Sequence, residues 1–294
     1  GIKQGFKVGK NWGAYADFSF FVSKYNDMME FNFGAFGEQD LFAFIADGNI
    51  EDLGLGFSSQ NVGETRILGI EIAGGSQGKI GKVPLNILAG YTYVNPIALN
   101  WDDELTYINT EGEEIAPGAG AVELLTGLDA TNGGAKTYAG ASSSNENVLK
   151  YRSKHTFMLD ISSSYKKADF GISVQYRSWM QNIDYLFVSE LFTEEIPEEI
   201  QPAVGGIESI ESVVNTTAFS GLKRYREKYD GRGTTLIDAR IAYNFNDNAK
   251  LSLVGKNLLN LTYAIRPSLL GDPMSFALQF NYSFKGNTKK KKSE

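Results

Sequence analysis

Large apolar side chains alternate with small or polar ones along most of this chain. The last such segment, residues 275–284, reads S-F-A-L-Q-F-N-Y-S-F, so every second residue is aliphatic or aromatic. A period of two is typical of a β-strand with one apolar face and one hydrated face. Segments of this kind predict about nine strands and an all-β fold; they lie near residues 2–8, 14–22, 61–73, 83–93, 157–165, 170–176, 237–245, 250–263 and 275–284.

The connections between these segments alternate between short and long. Short turns are predicted at residues 9–12, 74–82, 166–168 and 246–248, long connections at 34–60, 96–148 and 181–230, and a modest one at 266–273. Successive connections of an antiparallel sheet lie at opposite ends, so the long ones all fall at one end. Outer-membrane barrels have short periplasmic turns and long extracellular loops. The pattern therefore predicts a transmembrane antiparallel β-barrel rather than a water-soluble β-sandwich.

Composition excludes several function classes. The 294 residues are 42% hydrophobic and 21% charged, with a net charge of −7, which disfavours nucleic acid as a partner. No apolar run is long enough for a transmembrane helix, and the first residues show no basic region followed by an apolar core, so we do not expect them to be a signal peptide. The chain has no cysteine and a single histidine, His155, so it cannot build a usual zinc site. A Ser-His-Asp arrangement could use only His155 as its base. We expect neither enzyme activity nor a metal or cofactor.

Three segments of the chain carry a resemblance to a known protein family. They are K-N-L-L-N-L-T-Y at 256–263 followed by Arg-Pro at 266–267, a glycine-before-acid pattern ending at Gly69 and Glu71, and L-K-Y-R-S-K-H-T at 149–156. In this order and spacing they resemble TonB-dependent outer-membrane receptors, particularly those of the Bacteroidetes type. The resemblance extends to Phe284.

This resemblance implies a receptor in the outer membrane of a Gram-negative bacterium. Its barrel would have 22 strands around an N-terminal plug domain, and it would import a scarce nutrient with energy delivered by TonB. About nine strands cannot enclose so wide a lumen, and open sheet edges in lipid leave backbone groups unsatisfied. We therefore expect residues 1–284 to be the C-terminal part of the barrel, and residues 285–294 to be a basic, disordered periplasmic tail.

The expected partners follow from the same resemblance. They are the missing barrel strands and plug domain, the TonB complex through the plug, and outer-membrane lipid and lipopolysaccharide. Whether a surface lipoprotein covers the loops stays open, as does the substrate. Two alternatives also stay open: a passive porin-like channel, and a surface adhesin or assembly scaffold that uses the barrel as its anchor.

Candidate ligand-binding residues lie in the long connections or at their mouths, where aromatic rings can stack on a flat ligand or a sugar and cations can bind anionic groups. They are Trp101, Tyr107, Trp179, Tyr185, Arg224, Tyr225 and Arg226. Packing within the loops or the aromatic girdle is the alternative for these rings. The acidic stretches at 47–52 and 194–199 are interpreted as solvated loop surface, since the first lacks the central glycine and distal glutamate of an EF-hand.

Charged side chains on the hydrated face form a second set. We expect them to line the lumen and to hold the plug through hydrogen bonds and ion pairs. They are Asp17, Glu71, Asp160, Arg177, Asp238 and Arg240.

Overall fold

In the residues that it describes, the computed structural model contains fifteen β-strands and almost no helix. It describes residues 1–9, 11–35, 55–103, 106–108, 114–115, 137–188, 226–266 and 269–284. In chain order the strands are β1 (Ile2–Val8), β2 (Trp12–Tyr25), β3 (Met29–Ala35), β4 (Leu55–Asn61), β5 (Thr65–Ile80), β6 (Val83–Ala98), β7 (Thr106–Ile108), β8 (Glu114–Ile115), β9 (His155–Tyr165), β10 (Ala168–Arg177), β11 (Thr234–Asn244), β12 (Ala249–Lys256), β13 (Ala264–Arg266), β14 (Leu269–Leu270) and β15 (Ser275–Tyr282), with a 3₁₀ helix at Tyr185–Phe187. Within these residues no helix is long and apolar enough to cross a bilayer.

Nine of the strands form one antiparallel sheet. Their order is β1-β2-β5-β6-β9-β10-β11-β12-β15, so each strand pairs with the neighbours that precede and follow it around the wall. β3, β4, β7 and β8 form a smaller sheet, and β13 pairs with β14. The predicted barrel wall of about nine strands is confirmed.

Turn lengths give the main sheet two different ends. Pairing between Ile80 and Val83 leaves a two-residue turn between β5 and β6, and pairing between Tyr165 and Ala168 leaves another between β9 and β10. Gly81 and Lys166 open these turns with φ of +62° and +54°, as two-residue hairpins require. We call this the short-turn end. The opposite, long-loop end carries the connections that contain the smaller sheet and the 3₁₀ helix.

Cross-strand register divides the nine-stranded sheet into an apolar face and a polar face. Paired residues point to the same side, and Phe20 of β2 pairs with Ile70 of β5, which pairs with Tyr93 of β6. The apolar face is exposed: Phe18 is 45% exposed, and Leu278 on the last strand is 71% exposed. A water-soluble sandwich would bury such a face against a second sheet. This arrangement fits a membrane barrel wall, and the described residues form no dry centre between two sheets.

The buried core lies at the long-loop end instead of in the main sheet. Val62, Ala98, Tyr138 and Leu149 form a fully buried cluster, against which Trp101 packs. These residues come from the connections between β2 and β5 and between β6 and β9, together with the end of β6. The loops at this end therefore form a packed layer.

Two predicted strand boundaries differ most from the structure, and the first concerns the glycine-rich end of β5. Residues 74–80 continue the strand instead of forming a turn, because Gly75 pairs with Tyr15 of β2 and the Tyr15 ring lies where a side chain at Gly75 would be. A ring that covers a strand glycine replaces the missing packing.

The second wrong boundary lies after β12. The strand was predicted to reach residue 263 but ends at Lys256, because Asn257 adopts a φ of +48°. The Asn257 side chain accepts a hydrogen bond from the Leu261 amide and donates one to the Leu261 carbonyl, at 3.0 and 2.9 Å. These bonds close a turn that the alternation of residue types did not indicate.

Candidate functional site

A buried network of side chains holds three of the long connections together. Lys150, between β6 and β9, places Nζ 2.7 Å from Oδ1 of Asp184, which lies after β10, and both side chains are almost completely buried. The Tyr138 hydroxyl donates to Glu30 Oε2 of β3 at 2.7 Å and accepts from the Lys150 amide at 2.9 Å. Because buried charges are costly unless paired, these bonds fix the connections relative to one another.

Two further side chains complete the pairing of the buried carboxylates. Arg152 approaches Glu30 Oε1 at 3.2 Å, and the Tyr151 hydroxyl donates to Asp184. Each carboxylate therefore meets both a cation and a phenol. We call Glu30, Tyr138, Lys150, Tyr151, Arg152 and Asp184 the buried network.

Burial shifts the pKa values within this network in the expected directions. It raises the pKa of Glu30, while the Tyr138 hydroxyl and the Arg152 charge act in the opposite direction. It lowers the pKa of Lys150, although Asp184 opposes this effect. For Tyr138, burial and the nearby charge of Glu30 both raise the pKa. The ionised state of each member thus depends on its partner being in place.

An interruption in the β6–β9 ladder produces this network. The Leu149 amide bonds to the Pro96 carbonyl at 3.0 Å, and the Val94 amide bonds to the Lys154 carbonyl at 2.9 Å. Between these two bonds a single β6 residue, Asn95, lies opposite four residues, 150–153, which leave the ladder as an excursion. Tyr151 has a φ of +57° within it. The excursion begins with Lys150, which is buried.

A cavity of about 170 Å³ lies beside the network at the long-loop end of the polar face. Its lining includes Arg177, Trp179, Arg226, Leu236 and Tyr263. The Arg226 guanidinium lies 4.5 Å from the centre of the Trp179 ring. Both of its terminal nitrogens donate to the Met180 carbonyl, at 3.1 and 3.2 Å. The cavity combines two guanidinium groups with aromatic and aliphatic walls, which suits a flat or anionic ligand.

The structure brings together two of the seven predicted ligand-binding residues, Trp179 and Arg226. Trp101 instead packs edge-on against Tyr138, with ring centres 5.6 Å apart. Tyr185 is exposed at the start of the 3₁₀ helix, and Tyr107 lies in β7, opposite Gln60. Arg224 and Tyr225 lie outside the described residues, as do the acidic stretches and the basic tail.

All six residues predicted to line the lumen share the polar face. Asp160 and Asp238 are both opposite Ser173, and the Arg240 guanidinium makes two bonds of 2.9 Å to the Asp160 carboxylate. By the same register Asp17, Glu71 and Arg177 occupy this face. Asp238 has a local structural role as well, since its carboxylate accepts the Asn257 amide at 2.9 Å.

Sequence reasoning missed the members of the buried network. Lys150, Tyr151 and Arg152 belong to the segment that carried the family resemblance, yet nothing in that segment indicates a buried lysine. Its partner Asp184 is 34 residues away in the chain. The available signal was a run of four polar or aromatic residues just before a strand, which fits a solvent-exposed loop equally well.

Comparison with known proteins finds limited likeness to several solved structures. The solved structures that it resembles include the ferric-catecholate import receptor Fiu from Escherichia coli K12 (18% identity, TM-score 0.43), the outer membrane transporter YddB from Escherichia coli (10%, 0.45) and the copper transporter OprC (12%, 0.45). The chain is covered to 95%, 96% and 94%, but it spans only 26%, 32% and 30% of those proteins. The curated proteins contain no match.

A sequence family gives the assignment. Its profile, described as TonB dependent receptor-like, beta-barrel, matches residues 1–258. The matched part includes the segments around Glu71 and residues 149–156 that suggested the resemblance, whereas most of the segment at 256–263 lies beyond it. The family is one of receptors and transporters rather than enzymes. Because the match covers most of the sequence, this chain belongs to the TonB-dependent receptor-like β-barrel family.

Proposed function

We propose that this chain forms the C-terminal part of the barrel of a TonB-dependent active transporter, which takes up a scarce nutrient through the outer membrane of a Gram-negative bacterium. One observation carries the proposal: the main sheet has one exposed apolar face and one charged face. The chain that forms this sheet belongs to the receptor-like barrel family. The apolar face would contact lipid and the polar face the lumen. The short-turn end would then lie in the periplasm and the long-loop end outside the cell.

In this proposal the long-loop end captures the ligand. The buried network holds the connections in a fixed arrangement beside the cavity that contains Trp179 and Arg226. A rigid, preformed site loses little conformational entropy when its ligand binds. The cavity opens on the polar face, so a ligand bound there would stand at the entrance to the lumen.

The remaining partners come from the family. A plug domain would fill the lumen, bonded in part by charges such as Glu71 and Arg177, and TonB would act on the plug. The motif at 256–263 further supports a receptor of the Bacteroidetes type. A lipoprotein over the outer loops stays a prediction.

Uptake by cells tests the proposal. The complete gene is deleted and then restored. Growth is measured with one limiting nutrient at a time, chosen from iron chelates, cobalamin and oligosaccharides, to find the nutrient whose uptake requires the gene. We expect uptake of that nutrient to disappear on deletion of tonB as well. The double change Trp179→Leu/Arg226→Met should lower uptake at least about tenfold, since it removes a stacking wall and a charge. Arg66→Met, on the other face of β5, is the matched control.

Two results would contradict the proposal. Uptake that persists without TonB would indicate a passive channel. No dependence of any tested nutrient on the gene, combined with altered attachment or complex formation, would indicate a barrel that serves as an anchor.

A further inference from the structure

A groove with a basic lining lies at the short-turn end of the main sheet, at the opposite end from the cavity that contains Trp179. It has a volume of about 540 Å³, within the range of small-ligand sites. Its lining includes two lysines and three side-chain amides: Lys7, Lys79, Asn11, Gln77 and Asn86. We call it the short-turn groove.

Cross-strand register places the short-turn groove on the polar face. One row of paired residues crosses four strands, from Lys7 of β1 through Gly13 of β2 and Gln77 of β5 to Asn86 of β6. Lys79 lies two residues beyond Gln77 and therefore shares its face, as does Glu71. The groove thus opens on the face that lines the lumen in the proposed function.

Gly13 forms the floor of the groove. A side chain built at this residue would meet nothing within 4 Å. β1 and β5 are the two neighbours of β2, each about 4.8 Å from it. Lys7 and Lys79 therefore stand on either side of the gap that Gly13 leaves, and their flexible four-carbon stems let both ammonium groups approach one group bound there.

Charge makes the groove suitable for an anion. Among the described residues, the lining contains no acid, and neither Lys7 nor Lys79 has an ion pair. Asp17, which lies further along β2 on the same face, is 3.9 Å from Lys3 instead. The whole chain has 35 acidic and 28 basic residues, so a lining with cations and no acid does not follow from composition.

The lining favours a phosphate group over a single carboxylate. A phosphate monoester carries about −1.5 to −2 charges at pH 7 and has three strong acceptor oxygens. Two ammonium groups match that charge, and the amides of Gln77 and Asn86 can donate to the remaining oxygens. A single carboxylate would leave one lysine without a partner. The phosphate of a membrane lipid does not fit, because lipid contacts the apolar face.

We propose that the short-turn groove binds a phosphate group of the transported nutrient as the nutrient leaves the lumen. The inference rests on the proposed function, whose orientation places this end in the periplasm, and it adds a second site and a substrate class. The cavity at the long-loop end agrees with it, since its described lining also contains two cations, Arg177 and Arg226, and no acid. A phosphorylated nutrient would meet matching charges at both ends of the lumen.

Protection of single lysines from acetylation tests the proposal. The full-length receptor in detergent is treated briefly with an acetylating reagent, and mass spectrometry gives the reaction rate of each lysine. The probes are glycerol 3-phosphate, succinate and glycerol, each over a series of concentrations at constant ionic strength. At about ten times its dissociation constant, glycerol 3-phosphate should slow the reaction of Lys7 and Lys79 about tenfold, because about nine-tenths of the sites are then occupied. Lys82, in the turn between β5 and β6, should react at an unchanged rate.

Two glycine variants provide the matched control. Gly13→Val fills the floor of the groove and keeps every charge, so it should abolish protection by glycerol 3-phosphate. Gly90→Val adds the same side chain to the polar face of β6, where there is also nothing within 4 Å, and should leave the protection unchanged. Equal thermal stability of the two variants shows that the sheet is intact.

The other outcomes would overturn the proposal. Lysines that react slowly without a probe, and do not respond to glycerol 3-phosphate, would show that another segment of the receptor, such as the plug, fills the groove. Fast reaction with every probe would show that no anion binds. Equal protection by succinate would assign the groove to dicarboxylates as well, and protection that persists in Gly13→Val would place the phosphate elsewhere.

The uptake screen separates this inference from the proposed function. A nutrient that requires both the gene and TonB but carries no phosphate would contradict the substrate class assigned by the groove. TonB-dependent uptake itself would still stand.

Discussion

At the scale of single residues, the strongest constraint is the buried pair of Lys150 and Asp184. Lys150 is 1% exposed and Asp184 is fully buried, with their charged atoms 2.7 Å apart. Removal of one member of a buried pair leaves the other charge without compensation. The pair therefore keeps the connections after β6 and after β10 in contact.

Lys150→Met should open the long-loop end. We expect a local loss of about 3–5 kcal/mol, because Asp184 would remain buried without its cation. Hydrogen exchange at the Tyr151 amide, which bonds to the Asn182 carbonyl at 2.8 Å, measures this opening.

A surface pair of the same chemistry provides the control. Lys24 lies 2.8 Å from Glu64, and both side chains are about half exposed. Lys24→Met should therefore cost less than about 1 kcal/mol. Unchanged exchange at Tyr151 in Lys150→Met would contradict the assigned role of the buried network.

At the scale of elements, the alternation of residue types predicted the strands of the wall well. It predicted the ends of β2, β9, β10 and β11 to within a few residues, because a period of two sustained over about ten residues distinguishes a strand clearly from a helix. It failed where local chemistry overrides the alternation, at the glycines of β5 and at Asn257. It also did not reveal β3 and β4, whose pairing depends on contacts between distant parts of the chain.

Gly171 of β10 shows how one element depends on its neighbour. A side chain at this position would collide with Arg240, whose guanidinium reaches across to Asp160. Gly171→Val should displace Arg240 and destabilise the sheet by about 1–3 kcal/mol through overpacking. The free energy of unfolding in urea, measured by tryptophan fluorescence in lipid vesicles, reports this change.

Gly90 of β6 is the matched control on the same face. Nothing lies within 4 Å of a side chain built there, so Gly90→Val should be neutral or slightly stabilising, since valine favours strands. Equal stabilities of the Gly171 and Gly90 variants would show that the cross-strand contact of Arg240 is unimportant.

At the scale of the whole molecule, loop asymmetry and two-faced strands were enough to predict a barrel wall. The six charges predicted for its hydrated face do share one face, because register follows directly from strand parity. The ligand cavity was only partly predictable. The sequence identified Trp179 and Arg226 as residue types that suit ligand binding. The contact between them depends on the hydrogen bond from Arg226 to the Met180 carbonyl, and no sequence pattern indicates that bond.

The central claim is that the two faces of the main sheet contact different media. Since this chain has no cysteine, single cysteines introduced at residues 17, 18, 19 and 20 of β2 can each carry a nitroxide, after replacement of any cysteines elsewhere in the full-length receptor. Collisions with oxygen and with a water-soluble nickel complex are then measured in lipid vesicles. The account predicts high oxygen access at Phe18 and Phe20 and relatively higher nickel access at Asp17 and Ser19. Equal values at all four positions, or nickel access at the two phenylalanines, would contradict it.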